Sequence, residues 1–264
     1  MKTTTQNLQV LYEDNHLIAI NKRAGDIVQG DKTGDIPLSE IVKAYLVEKY
    51  HKAGEAYLGV VHRLDRPTTG LVLFAKTSKA LPRLNAAFAT KEEVCKQYWA
   101  LVEKKPIPTE GTLTHFLVRN TTQNKSYAYP TEKPQSQKAV LTYRVLATLT
   151  HYLLVEINLL TGRHHQIRAQ FAALGCPLKG DLKYGAKRSN SDGSICLHAR
   201  ALTLLHPVKK EPLSLTAPLP ETFAKLVENI PLTKKILFYW EFHFFLLSLC
   251  VFLIAHGLVT TMGS

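Results

Sequence analysis

A chain of 264 residues is long enough to bury a sizeable core as one large domain or two small ones. Lysine and arginine number 33 against 21 acidic residues, a formal charge of +12 with pI near 9.5, so a polyanion is the natural partner. The cysteines, Cys95, Cys176, Cys196 and Cys250, are scattered without a Cys-x-x-Cys pair or zinc-ligand spacing, which argues against a disulfide framework or a metal site.

The N-terminus lacks the apolar core of a signal peptide, so a reducing cytoplasm is the expected compartment. Leu8–Tyr12 and Leu17–Ile20 are short apolar stretches that predict strands around a turn at Asp14-Asn15. Leu38, Ile41, Val42, Tyr45 and Leu46 recur at helical spacing, with Ser39 or Asp35 as the expected cap.

The rest of the chain is organised around Val60–Thr77. Leu71–Ala75, between Gly70 and Lys76, is an apolar run suited to a buried strand. Ahead of it, His62, Arg63, Asp65 and Arg66 crowd together just before Pro67, which is loop chemistry. Charge content alone gives a solvated turn; a carboxylate kept charged by neighbouring guanidinium groups is also a candidate nucleophile. The whole string, His62-Arg63-Leu64-Asp65, two further residues, Thr68-Thr69-Gly70-Leu71 and then Ala75-Lys76, closely resembles the catalytic motif of the RluA-type pseudouridine synthases. That family isomerises uridine in RNA by detaching the base from the ribose and rejoining it through C5. The resemblance makes Asp65 the catalytic carboxylate and Arg63 the side chain that fills the space left by an extruded base, with His62 and Leu64 beside them at the substrate. Asn21-Lys22-Arg23-Ala24-Gly25 also resembles a family block, which usually carries proline where this chain has Arg23; little harm is expected.

Ser78–Thr90 predicts a helix with Leu81, Leu84, Ala87 and Phe88 inward and Pro82 tolerated in its first turn. Lys96–Val102 predicts a strand with Tyr98, Ala100 and Val102 on one face. In isolation Tyr98 is a core tyrosine; Lys96-x-Tyr98-x-Ala100 at this distance resembles a second family motif, which makes Tyr98 the active-site tyrosine that stacks on the target base and assists at C5. Residues 104–134 predict two short strands or a loop, on which Tyr127 and Tyr129 beside Lys125 are surface tyrosines or stacking platforms. Ala139–Leu149 and Tyr152–Leu160 alternate as an antiparallel pair.

From Leu160 the chain reads Thr161-Gly162-Arg163-His164-His165-Gln166-Ile167-Arg168 and enters a helix through Phe171 and Leu174, whose free N-terminal amides suit a phosphate. No carboxylate or cysteine stands at ligand spacing from the paired histidines, so no metal is expected. The string resembles the family's third motif, with His164 at its variable position. By that resemblance Arg168 pairs with Asp65, and Thr161, Gly162, Arg163, His165 and Gln166 bind substrate. Gly180-Asp181, Tyr184-Gly185, Leu197-His198-Ala199 and His206-Pro207 continue it, so that it runs from about Leu8 to Thr216. Phe223, Leu226 and Val227 mark a short closing helix within Glu221–Ile230.

Ile236–Val259 is different: it carries no Lys or Arg, Glu241 as its one carboxylate, and enough apolar residues to span a bilayer. Without it, 1–235 hold 33 basic against 20 acidic residues, a formal +13. Two readings stand side by side, a membrane anchor with the body held on the cytoplasmic side by Lys234-Lys235, and an accidental extension without a selected role, while Glu241 and His243 weaken a third, an extra core helix.

The resemblance implies an α+β pseudouridine synthase fold, a long mixed, mostly antiparallel sheet with flanking helices and a central catalytic cleft, formed by 1–235 without a separate N-terminal RNA-binding domain. It implies an isomerase acting on uridines in structured ribosomal or transfer RNA as a monomer, without a cofactor. The target nucleotide must be extruded to expose its glycosidic bond and C5. Two other functions compete: an RNA-binding or assembly factor that has lost turnover, against which the intact Asp65, Tyr98 and Arg168 argue, and a ribosyl hydrolase using Asp65.

Overall fold

A computed structural model describes residues 2–90, 94–103, 108–228 and 230. In chain order its elements are β1 (Val10–Glu13), β2 (Leu17–Lys22), α1 (Leu38–Lys49), β3 (Gly59–Val60), β4 (Thr69–Ala75), α2 (Ala80–Thr90), β5 (Val94–Glu103), β6 (Glu110–Asn120), β7 (Lys125–Tyr129), β8 (Gln137–Thr148), β9 (Tyr152–Leu159), α3 (Gln166–Ala173), β10 (Leu197–Leu205), β11 (Pro212–Thr216) and α4 (Glu221–Val227). Among the described residues all eleven strands join one sheet, in the order β1-β2-β4-β10-β5-β9-β8-β6-β7, with β11 beside β10 and β3 beside β4. Its pairings are antiparallel except for the short parallel contact of β10 with β4. This is the mixed, mostly antiparallel α+β sheet expected from the sequence.

Period-two alternation sorts the side chains between two faces. On β5, Tyr98, Ala100 and Val102 pack in one cluster with Val42 of α1 and Ile167 and Phe171 of α3. Trp99 and Leu101 point the other way and pack with Phe223 and Val227 of α4. β4 divides similarly: Val72 and Phe74 join the first cluster, while Leu71 and Leu73 pack with Leu84 of α2. Helices therefore cover both faces, and β5 lies at the middle of the sheet.

Four local expectations are corrected by tertiary context. Helix α1 takes no side-chain cap: Pro37 occupies the N-cap, Ser39 is buried inside the helix, and Asp35 turns to Arg66. β6 is an 11-residue strand because it pairs with β8 along Glu110–Leu117 and with β7 along Phe116–Asn120. α3 begins at Gln166, so residues 161–165 form a loop and the free amides lie later than the sequence implied. Leu226 of α4 stays 36% exposed, while Phe223 and Val227 are buried.

Gly70 brings β4 and β10 together. Its φ is +110°, in the region that favours glycine, and a Cβ there would lie inside contact distance of the Ala199 backbone. The hydrophobic segment 236–259 lies outside the described residues; among those described, no helix is long and apolar enough to cross a membrane.

Candidate active site

The loop between β3 and β4 carries Asp65 and is held from several directions. Lys22, at the end of β2, is 1% exposed, and its Nζ donates to the carbonyl oxygens of Arg23 at 2.9 Å, Arg66 at 3.0 Å and Thr68 at 2.7 Å. An ammonium has three N–H donors, so the three carbonyls match it one for one. Burial nevertheless pushes the Lys22 pKa down to about 7. The Gly25 N–H donates to the Arg66 carbonyl at 2.9 Å, and the Ile195 N–H to that of Pro67 at 3.2 Å. The Asn21–Gly25 stretch thus clamps the Asp65 loop. Arg23 sends its guanidinium away from the clamp, to the Asn7 carbonyl at 3.0 Å, so the missing proline leaves these contacts in place.

Asp65 meets its partners through one oxygen. Arg168 Nη1 lies 3.0 Å from Oδ2 and His165 Nε2 lies 3.6 Å from the same atom. Arg168 is itself fixed by a two-bond fork: Nε donates to Asp181 Oδ2 at 2.7 Å and Nη2 to Asp181 Oδ1 at 2.8 Å. The side chains of Arg168 and Asp181 are 5% and 1% exposed, against 27% for Asp65. Burial works against the Arg168 charge, but the hydrogen bonds and charge of Asp181, with the charge of Asp65, outweigh it and raise the pKa above its ordinary value. The guanidinium is a permanent cation tied to a buried carboxylate and offering its remaining nitrogen to an open one. Asp181 had no assigned role in the sequence, although Gly180-Asp181 stood within the matching blocks.

A cleft of about 1600 Å³ opens over this pair and crosses the middle of the sheet. The Asp65 loop, Ile27–Thr33, Leu117–Arg119 of β6 and the loop entering α3 line it, with Lys96 and Tyr98 from β5. Tyr98 is 8% exposed; burial and then the Asp65 charge raise its pKa. A neutral phenol is suited to stacking against a base, and its phenolate is too scarce at neutral pH for Tyr98 to serve readily as the base at C5.

The structure brings most of the remaining sequence-predicted residues to this cleft and gives them different tasks. Arg63 lines the cleft, with Nη1 3.2 Å from Gln29 Oε1. Leu64 is buried in the core and anchors the loop next to Asp65. His62 is part of the frame: its Nε2 accepts the Leu73 N–H at 3.0 Å, its ring stacks on Phe88 at 5.0 Å, and burial followed by the Lys96 charge brings its pKa down to about 3. Gly162, Arg163 and His165 line the cleft, whereas Thr161 is not among its lining residues. Thr161 Oγ1 accepts the Val140 N–H at 2.8 Å and donates to Gln166 Oε1 at 2.7 Å. Gln166, though cleft-lining, spends its amide on the same loop, accepting the Arg163 N–H at 3.0 Å and donating to the Val140 carbonyl at 3.1 Å. Thr161 and Gln166 therefore shape the loop that presents the others.

A family model described as RNA pseudouridylate synthase matches residues 16–173, the span from before β2 to the end of α3. An uncharacterised RNA pseudouridine synthase of Synechocystis sp. is 36% identical over 226 residues, covering 83% of this chain and 68% of that protein. The ribosomal large subunit pseudouridine synthase D of Zymomonas mobilis is 30% identical over 243 residues, covering 86% of this chain and 74% of its own. Among solved structures, human RNA pseudouridylate synthase domain containing 4 superposes with a TM-score of 0.69 at 26% identity, covering 83% of this chain and 92% of that one. With the sheet, the cleft and the Arg168–Asp65 contact in place, these matches establish that the chain belongs to the RNA pseudouridine synthase family.

Proposed function

We propose that Asp65 is the carboxylate through which this RNA pseudouridine synthase isomerises uridine, with Arg168 as its fixed counter-ion and Tyr98 as the surface on which the detached base stacks. The Arg168 Nη1–Asp65 Oδ2 contact at 3.0 Å, in a cleft open to solvent on the Asp65 side, carries this reading. No partner holds Asp65 Oδ1 among the described residues, so that oxygen is free to meet the ribose. Asp65 either adds at C1′ as uracil leaves with the bonding electron pair, or removes a proton from C2′. In the first route uracil turns and C5 attacks C1′ as the Asp65–C1′ bond breaks and frees the carboxylate; in the second, loss of the C2′ proton expels uracil and leaves a C1′–C2′ double bond, and C5 bonds to C1′ as Asp65 returns the proton to C2′. In both the C5 proton is lost and N1 is protonated, so the net change is isomerisation. His62, Arg63, Leu64, Gly162, Arg163 and His165 frame the substrate, and Thr161 and Gln166 hold that frame. Arg63 replaces the extruded base.

The substrate in this proposal is structured ribosomal or transfer RNA, and the large-subunit relative of Zymomonas mobilis supports the ribosomal alternative. The catalytic unit is 1–235, a cytoplasmic monomer, and the apolar 236–264 extension adds no catalytic part. If 236–259 is an anchor, full-length protein sediments with membranes and resists high salt and alkaline carbonate while 1–235 does not; full-length protein that stays in the supernatant removes the anchor.

The test of the central assignment is tritium release from uridine labelled at C5 in transcribed RNA. Asp65→Asn keeps the shape of the side chain and its acceptor for Arg168, so RNA binding and fold are expected to survive while release stops. Release at the wild-type rate would remove Asp65 from the chemistry.

A further inference from the structure

We infer that Tyr184 is a positioning residue that sets the tautomer of His165, so that the imidazole presents Nε2–H to the catalytic carboxylate. The inference rests on the assignment of Asp65 made above. Tyr184 precedes Gly185 in the turn after Asp181, is 7% exposed, and has its hydroxyl between two partners. The Ser126 N–H of β7 donates to its Oη at 2.8 Å, and His165 Nδ1 lies 3.0 Å from the same oxygen. His165 is 8% exposed at the N-cap of α3, with φ 54°, a left-handed conformation that histidine adopts more readily than most residues.

Two arguments fix the ring proton. With its oxygen already accepting from Ser126, the Tyr184 hydroxyl finds in His165 Nδ1 the acceptor for its own proton; a protonated Nδ1 would leave that buried hydroxyl hydrogen without an acceptor among the described residues. On the other side of the ring, Nε2 faces Asp65 Oδ2 at 3.6 Å, where a lone pair would oppose a carboxylate and an N–H is attracted to it. Burial, and then the charge of Arg168, keep the ring from taking a second proton, with the pKa brought down to about 2. A neutral ring has one N–H, and both neighbours place it on Nε2.

The separation of 3.6 Å is longer than a hydrogen bond, and such contacts in substrate-free sites tighten when substrate is held. Arg168 and His165 then converge on Oδ2 and leave Oδ1 to the ribose. Tyr184 serves both partners, because its ring also lies 5.0 Å from the Arg168 guanidinium carbon. The stack of the His164 and His165 rings at 3.8 Å, with His164 Nδ1 2.8 Å from Ser126 Oγ, ties the same block to the β6–β7 hairpin.

The tautomer is read directly from the ring ¹⁵N shifts of histidine-labelled protein without RNA. Wild type is expected to show His165 as the Nε2–H form. Tyr184→Phe keeps the ring over Arg168 and removes the hydroxyl; it is expected to mix the tautomers and lower kcat about tenfold with KM for transcribed RNA unchanged, less than the ~10²–10³ typical of losing an oriented donor outright. His165→Gln carries an amide donor without tautomers, so adding Tyr184→Phe to it is expected to cost no further kcat. A merely structural tyrosine would lower thermal stability in either background and leave the tautomer alone. An Nδ1–H form in wild type overturns the inference, whether or not the variant folds. An unchanged kcat in Tyr184→Phe, or a full additional loss in the double variant, does the same. Failure of the functional assignment registers elsewhere, as normal tritium release by Asp65→Asn, and leaves the wild-type tautomer standing.

Discussion

Arg168 is the residue on which the site's charges balance. It faces Asp181, which is out of water, and Asp65, which is not, and its own side chain is 5% exposed. Arg168→Ala would strand both carboxylates, and losing one partner of a buried pair costs about 3–5 kcal/mol. The variant is expected to unfold at markedly lower urea concentration and to lose tritium release, whereas Asp65→Asn loses release alone; equal stability of Arg168→Ala and wild type would show that the fork is not stabilising. Arg63 poses the opposite case. Among the described residues it sits at the cleft with a single side-chain hydrogen bond, to Gln29, which suits the proposed swing into the gap left by a flipped base. Arg63→Ala should depress turnover on structured RNA with little change in the salt slope of binding, since the role proposed for it is to fill stacking space and not to neutralise phosphate. A weaker Kd with normal turnover at saturating RNA would contradict that.

At the scale of elements, the cleft depends on how closely β4 approaches β10. Their parallel contact joins Thr69 to His198 and Gly70 to Ala199, directly after the Asp65 loop. Gly70→Ala combines a strained positive φ with a Cβ against backbone that cannot rotate away. A cost of about 2–5 kcal/mol follows from conformational strain and overpacking together. Equilibrium urea unfolding checks it, and a variant within experimental error of wild type would mean that the strands separate at no cost. The same junction is steadied by the Lys22 clamp, whose three carbonyl partners belong to residues 23, 66 and 68. The alternation of β5 and the helical spacing of α1 were legible in the residues, because those patterns record which side of one element is buried. The start of α3 was not: Gln166 folds its side chain back on Thr161 and Arg163, a choice that depends on β8 supplying Val140.

For the whole molecule, buried neutral histidines set the acid limit. Burial lowers the pKa of His62 to about 3, of His165 to about 2 and of His198 to about 4, all from an ordinary value of 6.5. The unfolded chain binds these protons below about 6.5 and the native state does not, so the stability they contribute is full above that pH and declines as pH falls toward each native value. Each such group contributes a slope of up to about 1.4 kcal/mol per pH unit in that window. Glu13, lowered to about 2 against burial by its bonds to Lys49, Lys76 and Tyr50, adds a loss of the same sign below its ordinary 4.5. The melting temperature is therefore expected to drop steadily from pH 7 to pH 4, and more shallowly in His198→Gln. A flat profile over that range would place the protons elsewhere.

By itself the sequence determined the family and the sheet-rich architecture, and it singled out Asp65, Tyr98 and Arg168 as the candidates for the site. Those follow from contiguous strings and local periodicity, which survive without knowledge of the fold. Asp181, Tyr184 and Lys22 also stood inside recognisable blocks, but nothing local distinguished an ion-pair anchor, a tautomer-setting hydroxyl or a backbone clamp from ordinary packing. Their roles arise from contacts 13, 19 and 46 positions apart, to Arg168, His165 and the Thr68 carbonyl. Burial sharpened each of them, because low polarity makes an unmatched charge or donor costly and so forces every one to find its partner. Only the tertiary structure decided that matching, and with it which oxygen of Asp65 stays without a partner among the described residues.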